Sequence, residues 1–582
     1  MPNNYYTKER NTEILIALLK AHNIRNVIAS PGTTNINFVA SLQQDSFFKL
    51  YSAVDERSAA YMACGMAAET GETVVLSCTG ATASRNYVPG LTEAFYRKLP
   101  VLAVTSCQHT GRVGQMIPQV IDRSVQMKDL VKLSVQIDSV HDKDDEWACN
   151  VALNKALLEL RHRGGGPVHI NLVTTYSGDF SVKTLPSTRV IRRLNIGDDL
   201  PTLSPKRVAI FVGSHSPWPS TLTRLVDDFC EKYDAVVLCD QTSNYRGSFR
   251  VMPHILCGQS NYQTAVNHFE TMIHIGQISG SYLSVFPKNV WRVSSDGEIS
   301  DAFGKLQYVF EMKEEEFFKS YLQLETDSNK PEKAFLQEWQ QELKQINSNI
   351  PELPFSNIWI AQNTINKFPV NSALHLGILN SLRSWNFFES PSSLLCFSNT
   401  GGFGIDGGLS SLIGASFVNP DKLYFGVIGD LAFFYDINVL GNRHIRPNVR
   451  IMLINNGKGT EFRNYNHKAA MFGEIADAYI AAAGHFGQKS CTLVKHFAED
   501  LGFHYLTASN KKDFLKNVDF FLSTEKVEKP IIFEVFTNSE EESKALEMIN
   551  TLRSSASGSV KQTAKKILGP SNIKALKRIL NR

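Results

Sequence analysis

Two apolar runs that stop abruptly on polar turns constrain this chain more than any other feature. Residues 423–428 run straight into Gly429-Asp430, within Val427-Ile-Gly-Asp-Leu-Ala-Phe-Phe-Tyr-Asp436, and residues 449–454 run into Asn455-Asn456-Gly457. Such stretches read as parallel strands buried on both faces and joined by a helical connection. In a parallel sheet the ligand crevice lies beyond the carboxyl ends of the strands, which is where Asp430 and Asn456 are expected. A carboxylate and an amide oxygen suit a hard, six-coordinate Mg²⁺ whose other ligands are a diphosphate, a backbone carbonyl and water. Gly429 and Gly457 let the backbone approach closely.

The rest of the chain has to supply the other half of such a site, and its length allows it. At 582 residues it exceeds a single core, so two to four domains are expected. Hydrophobic residues at 43%, charged residues at 20% and a formal charge of +3 are an ordinary globular profile. The nine cysteines include no C-x-x-C pair, which points to buried thiols in a reducing cytoplasm and away from disulfides or zinc. No apolar run is long enough for a membrane span, and the start lacks a signal-peptide core. Eight of the basic residues lie between Arg553 and Arg582, where there is no acid, leaving 52 against 57 elsewhere, or −5. A mildly acidic body argues against a general nucleic-acid surface.

Strand-like and helix-like stretches alternate from residue 8 to about 185, predicting a doubly wound α/β domain over 1–185. A polar, proline-containing linker over roughly 185–205 leads to a second unit at 200–345, which opens on Lys206-Arg-Val-Ala-Ile-Phe-Val-Gly213. The Gly213 turn lacks a full G-x-G-x-x-G, so a scaffold role is expected there. The charged stretch 311–345 reads as solvated helices. A third α/β domain, 355–545, holds the two apolar runs and ends in the strand 530–535. After it comes the basic tail 546–582, whose amphipathic end (Ile573, Leu576, Ile579, Leu580) is expected to dock on the acidic body or stay disordered, with closure over a site or contact with anionic lipid as the other readings.

The other decisive stretch is Val54-Asp-Glu-Arg-Ser-Ala-Ala-Tyr-Met-Ala-Cys-Gly-Met-Ala67, a strand entering an acidic turn and then a helix of small residues. By itself Glu56 is explained by the preference of acids for a helix start. Gly429-Asp430-Leu431 and Asn455-Asn456, separated by the 23 residues 432–454, resemble the thiamin-diphosphate (ThDP) signature. Beside that pair, the Glu56 stretch looks like the aminopyrimidine-binding domain of the same superfamily of 2-oxoacid decarboxylases and carboligases. The resemblance implies three doubly wound domains and ThDP with Mg²⁺ at a subunit interface, hence a homodimer or homotetramer. Asp430, Asn456 and the Lys458 carbonyl would hold the metal. Glu56 would bond a ring nitrogen of the aminopyrimidine and stabilise its imino tautomer, which takes the proton from the thiazolium carbon.

Further stretches are similar to the same family. Leu76-Ser-Cys-Thr-Gly-Ala-Thr-Ala83 with Asn86 resembles the loop after the glutamate helix, which would place Thr79 and Asn86 near the cofactor. Gln115 and Gln119 resemble glutamines lining the site, with His109 a candidate proton carrier. Ser398-Asn-Thr-Gly-Gly-Phe-Gly-Ile-Asp-Gly407 resembles the segment that sets a bulky aliphatic residue, here Ile405, under the bent cofactor, with Ser398 and Gly404 beside it.

The Gly-Asp-Leu-Ala-Phe variant and the Ser30-Pro-Gly turn are most like those of the menaquinone-pathway carboligases, the MenD-like family. That family has arginine where this chain has Thr34 and Thr400, and threonine cannot clamp a carboxylate bidentately. The expected function is therefore decarboxylation of a 2-oxo acid with transfer of the acyl-anion equivalent to an unidentified acceptor, on altered substrates. Arg85, Arg112, Arg383 and Arg463 could hold a carboxylate or phosphate instead, though a surface or structural role is expected for each, and His467 joins His109 as a candidate proton carrier. A simple decarboxylase releasing an aldehyde, an acetolactate-synthase-like flavoenzyme and a non-catalytic scaffold are the alternatives.

Overall fold

The computed structural model describes residues 5–553 apart from 261, 282, 326–333 and 526; the basic segment 560–582 falls outside them. The chain forms two compact units, Met1–Asp198 with Asp296–Glu311, and Asp199–Ser295 with the chain from Met312 onwards. They carry three parallel sheets of six, seven and six strands.

The first sheet holds β1 (Asn26–Ala29), β2 (Lys49–Ser52), β3 (Val74–Cys78), β4 (Val101–Cys107), β5 (Leu133–Ile137) and β6 (Val168–Val173), ordered β2-β1-β3-β4-β6-β5. Its two faces carry separate cores. Val27, Val75, Leu102 and Val104 point to one, and Ile28, Leu76, Val101 and Ala103 to the other. Successive side chains of a strand alternate between faces, so a sheet covered on both sides needs an unbroken apolar run. The small residues Ala59, Ala60, Ala63 and Ala67 bury one side of the helix Glu56–Thr70 in the second of these cores.

The middle sheet comprises β7 (Arg192–Asn195), β8 (Val208–Val212), β9 (Ala235–Cys239), β10 (Arg250–Val251), β11 (His268–Ile275), β12 (Phe286–Val293) and β13 (Leu306–Glu311). β7 lies in the stretch expected to be a linker: its backbone pairs in parallel with β13, Tyr308 opposite Arg192. Half-buried side chains hid it from a search for apolar runs. The charged stretch 311–345 also departs from expectation. Its helices Glu314–Gln323 and Ala334–Asn347 are amphipathic, burying Phe317, Phe318 and Tyr321 in one and Phe335, Leu336, Trp339 and Ile346 in the other.

The third sheet is β14 (Ala373–Leu376), β15 (Leu395–Phe397), β16 (Tyr424–Gly429), β17 (Val449–Asn455), β18 (His504–Ala508) and β19 (Ile531–Phe536), ordered β15-β14-β16-β17-β19-β18. Counting strands within each sheet, this is the order of the first sheet, 2-1-3-4-6-5. In both, the chain reverses its direction of travel across the sheet beside the first strand. That switch opens a crevice at the carboxyl ends. The last helix, Ser539–Asn550, continues past the boundary expected at 545. Among the described residues no helix is long and apolar enough to cross a membrane. The nine cysteines are unbridged, and only Cys491 is exposed.

Candidate active site

In the second unit the two polar turns meet. Gly429 is the register partner of Ile454, so β16 and β17 end together and deliver Asp430 and Asn456 to one edge. Asp430 is buried at 5% exposure, and its Oδ1 accepts the Leu431 N–H at 2.9 Å. Burial pushes its carboxyl up to about 6, against the pull of backbone N–H groups of Leu431, Gly457 and Asn456. Asn456 Oδ1 is buried without a hydrogen-bond partner. A carboxylate held in a dry place beside an unpartnered amide oxygen is a donor set that fits a hard cation. Glycine at 429 is not required by packing, since a Cβ there would meet no protein atom within 4 Å; the same holds at Gly401 and Gly402. This edge therefore has room for a group other than protein.

Beside it lies a small cleft lined by His375, Gly377, Ser398, Gly404, Ile405 and Ile428. Ser398 Oγ and His375 Nε2 are buried without partners, and burial, with Lys422 nearby, lowers the His375 imidazole to about 4. Ile405 is half-buried and Gly404 exposed. Leu379, at the turn from β14 into the helix Asn380–Trp385, is held at φ 69°, ψ −119°. Such a conformation costs about 1–3 kcal/mol in a residue with a side chain and persists where surrounding structure enforces it.

The first unit presents a corresponding edge. Glu56 opens the helix Glu56–Thr70, whose N-terminus is capped by Asp55 accepting the Arg57 N–H at 2.9 Å. Its half-buried carboxylate acts on the buried Cys78 thiol and Tyr87 hydroxyl, both pushed upward chiefly by desolvation. The Tyr87 hydroxyl and Ser30 Oγ lie in this neighbourhood without a partner in hydrogen-bond geometry. Gly32 of the Ser-Pro-Gly turn admits the Thr79 methyl group, which would be 1.7 Å from any Cβ there. Thr79 donates its hydroxyl to the Gly80 carbonyl at 3.3 Å. Ala81 (φ 57°, ψ −135°) and Gln119 (φ 63°) repeat the strain seen at Leu379. Gln115, Gln119 and Asn86 are exposed. His109 is exposed too, its Nδ1 accepting the Gly111 N–H at 3.0 Å, so that ring caps its own turn.

The candidate substrate-binding arginines are committed to partners inside the chain. Arg383 pairs with Glu461 at the wall of a cavity of about 380 Å³ that His467 also lines, and Arg463 pairs with Asp477 at 3.0 Å. Lys458 Nζ also binds Asp477, at 2.7 Å. Arg112 donates to Gln108, and Arg85 to the Asp122 carbonyl at 2.9 Å. Thr34 is buried and donates to the Ser106 carbonyl at 3.1 Å; Thr400 is buried. Tyr87, Arg123 and His375 escaped the sequence reading, and Ser30 entered it only as part of its turn, because unsatisfied hydrogen-bonding capacity is visible only when the surroundings are.

Residues 10–127 match the family described as "Thiamine pyrophosphate enzyme, N-terminal TPP binding domain". With the acidic strand-to-helix turn of the first sheet and the Asp430–Asn456 edge of the third, this defines a thiamin-diphosphate-dependent enzyme. Three relatives refine the class. The 2-succinyl-5-enolpyruvyl-6-hydroxy-3-cyclohexene-1-carboxylate synthase of Bacteroides thetaiotaomicron is 32% identical, covering 93% of this chain and 98% of its own. The synthase of the same name from Phocaeicola vulgatus is 31% identical over the same shares, and that from Flavobacterium johnsoniae 26% identical over 91% and 97%. The chain belongs to this synthase family within the thiamin-diphosphate enzyme superfamily. A solved structure, the thiamine diphosphate-dependent 4-hydroxybenzoylformate decarboxylase of Rhodococcus jostii RHA1, aligns with 91% of this chain and 99% of its own at 17% identity and a TM-score of 0.39.

Proposed function

We propose that the protein decarboxylates a 2-oxo acid and transfers the acyl-anion equivalent to an acceptor, as a member of this synthase family with altered substrates. The observation that carries this reading is threonine at 34 and 400 in a chain that keeps Glu56, Asp430 and Asn456 at the positions of the cofactor motifs. Threonine at 34 has its hydroxyl bound to the Ser106 carbonyl, which leaves no fork for a carboxylate there. The apparatus is assigned to an aminopyrimidine-binding domain over 1–185, a middle domain over 200–345 and a diphosphate-binding domain over 355–545, in a homodimer or homotetramer.

Thiamin diphosphate, when bound, supplies the electron sink for loss of CO₂ and for transfer of the remaining fragment. Asp430, Asn456 and the Lys458 carbonyl would hold Mg²⁺ and through it the diphosphate. Ser398 Oγ has a free hydrogen bond for the same group, and Ile405 presents an apolar surface to it. Glu56 would hold the proton at the aminopyrimidine ring nitrogen. Gln115 and Gln119 would line the substrate side from one loop, and Thr79 and Asn86 would approach the cofactor from another.

The test is CO₂ release with thiamin diphosphate and Mg²⁺ from pyruvate, 2-oxobutyrate, phosphonopyruvate and 2-oxoglutarate, with Glu56→Gln as control. Release from one of the first three, dependent on Glu56, supports the reading and names the donor for an acceptor screen. Turnover of 2-oxoglutarate alone would mean that other residues take the place of arginine at 34 and 400. Release that forms aldehyde stoichiometrically in the presence of every acceptor would make it a simple decarboxylase.

A further inference from the structure

At the end of the third sheet opposite Asp430, a cavity of about 890 Å³ opens among the loops that lead into β14, β15, β16 and β17. Ligands of parallel sheets gather at the carboxyl ends of the strands, so a cavity of this size at the amino ends is not accounted for by the cofactor. β16 is 6 residues long, which at about 3.3 Å per residue puts roughly 20 Å between this end and the carboxyl edge. A small-molecule site needs about 300–1,000 Å³, so the cavity has room for a whole metabolite.

Two cations on its wall, Lys422 and Arg446, make no side-chain hydrogen bond or ion pair among the described residues. The Lys422 ammonium lies 5.5 Å from the Tyr424 ring centroid, and burial alone lowers its pKa. The carboxylates on the same wall, Asp421 and Glu525, are exposed to water and pair with neither cation. A third basic residue, Arg450, is committed elsewhere. It is buried and donates Nη1 to the Phe521 carbonyl at 2.7 Å and to the Ser523 carbonyl, at the end of the helix Lys511–Leu522, where a cation is favoured. Asn448, 6% exposed, donates its amide nitrogen to the carbonyls of Ser416, Asn419 and Lys422 at 3.2, 3.3 and 3.1 Å. Its Oδ1 is buried without a partner, as is Arg450 Nε. The wall thus holds two unpaired charges and unmet hydrogen-bonding capacity of both kinds.

We propose that this cavity is a second small-molecule site, remote from the catalytic edge, for a phosphorylated polyhydroxyl metabolite: a sugar phosphate or a nucleotide. Lys422 as a point charge and Arg446 as a fork of donors hold the phosphate. Asp421 and Glu525 would repel a bare anion, but carboxylates accept hydrogen bonds from sugar hydroxyls. Ser392 and Ser393 offer hydroxyls on the same wall, and Leu395 and Leu423 offer apolar surface to the carbon skeleton. The site does not depend on the reaction proposed above.

The test is calorimetric titration of the full chain, kept saturated with ThDP and Mg²⁺ so that the catalytic edge is occupied, with UDP, glucose 6-phosphate and inorganic phosphate in turn. Wild type is expected to bind UDP or glucose 6-phosphate saturably, and the one that binds names the source of the phosphate. Replacing both cations, Lys422→Gln with Arg446→Gln, should raise the dissociation constant at least about tenfold. Arg443→Gln, which removes an exposed charge from the same loop outside the cavity, should leave it within about twofold. If the double variant does not fold, Ser392→Trp, which narrows the cavity and keeps both charges, takes its place with the same expected loss. No saturable binding of either organic phosphate, or equal binding by wild type and the double variant, would overturn the proposal. Binding of inorganic phosphate alone would also overturn it, by reducing the site to an adventitious anion contact. Failure to bind ThDP would strike the proposed function only, since wild type against double variant still decides this site.

Discussion

Asn455 donates its side-chain amide to Glu534 Oε1 across β17 and β19 at 2.7 Å, while its neighbour Asn456 has a buried Oδ1 with no partner. Two adjacent asparagines thus divide the work. Glu534, its carboxyl raised by burial against the hydrogen bonds of Asn455 and Tyr505, ties the strands together. Asn456 leaves its side-chain oxygen without a protein partner. Asn455→Leu is expected to lower stability by about 1–3 kcal/mol, since it strands a buried carboxylate oxygen. Asn456→Leu should leave stability within about 1 kcal/mol while weakening ThDP·Mg²⁺ at least about tenfold. Urea unfolding and calorimetry on both variants would read these out, and equal effects on both quantities would refute the division.

Asp430 places a carboxylate in a site where burial alone disfavours its charge. A cation there should stabilise the fold by mass action, more so as ThDP and Mg²⁺ rise above their dissociation constants. Wild-type melting temperature is expected to climb on adding both and to fall back with EDTA. In Asp430→Asn the climb should disappear. A variant that still responds to Mg²⁺ would move the metal elsewhere.

Glu56 is half-buried at a helix start whose capping is done by Asp55. Glu56→Gln is therefore expected to fold with wild-type stability, within about 0.5 kcal/mol. Proton placement contributes about 10²–10⁴-fold in rate, so activity should drop by that order. Rate and unfolding measured on one preparation separate the two, and an active Glu56→Gln enzyme would remove the residue from the mechanism.

Glu542 offers a pH test independent of chemistry. Its carboxylate oxygens accept the Asn357 N–H at 2.9 and 3.0 Å, and Thr537 donates to one of them at 2.7 Å. Burial outweighs these bonds and pushes the carboxyl up to about 7. An unfolded Glu titrates near 4.3. Between those values the folded chain binds the extra proton, so this group's contribution is full below about pH 4 and is lost as pH rises to about 7. Glu542→Gln keeps an acceptor and cannot ionise, so its melting temperature relative to wild type should increase from pH 5 to pH 8. A constant difference across that range would contradict the assignment.

What the sequence by itself determined is set by local pattern. β9, β16 and β17 are continuous apolar runs because both faces of a central parallel strand are covered, and such runs announce themselves. The abrupt stops at Gly429-Asp430 and Asn455-Asn456 likewise marked the edge where β16 and β17 end together. Strands β5, β7, β15 and β18 were not legible: their side chains are only partly buried, which dilutes the apolar signal. β12 hides behind Pro287, Lys288 and Asn289 in its first half.

Tertiary structure alone decided which polar groups are free. Arg383 is neutralised by Glu461, 78 residues away, and Asn455 is occupied by Glu534, 79 residues away. No local pattern encodes such pairings, because folding brings the partners together. For the same reason nothing in the sequence around Arg123 distinguishes it from the other arginines. Its character comes from burial that leaves its Nε and Nη1 without a protein acceptor.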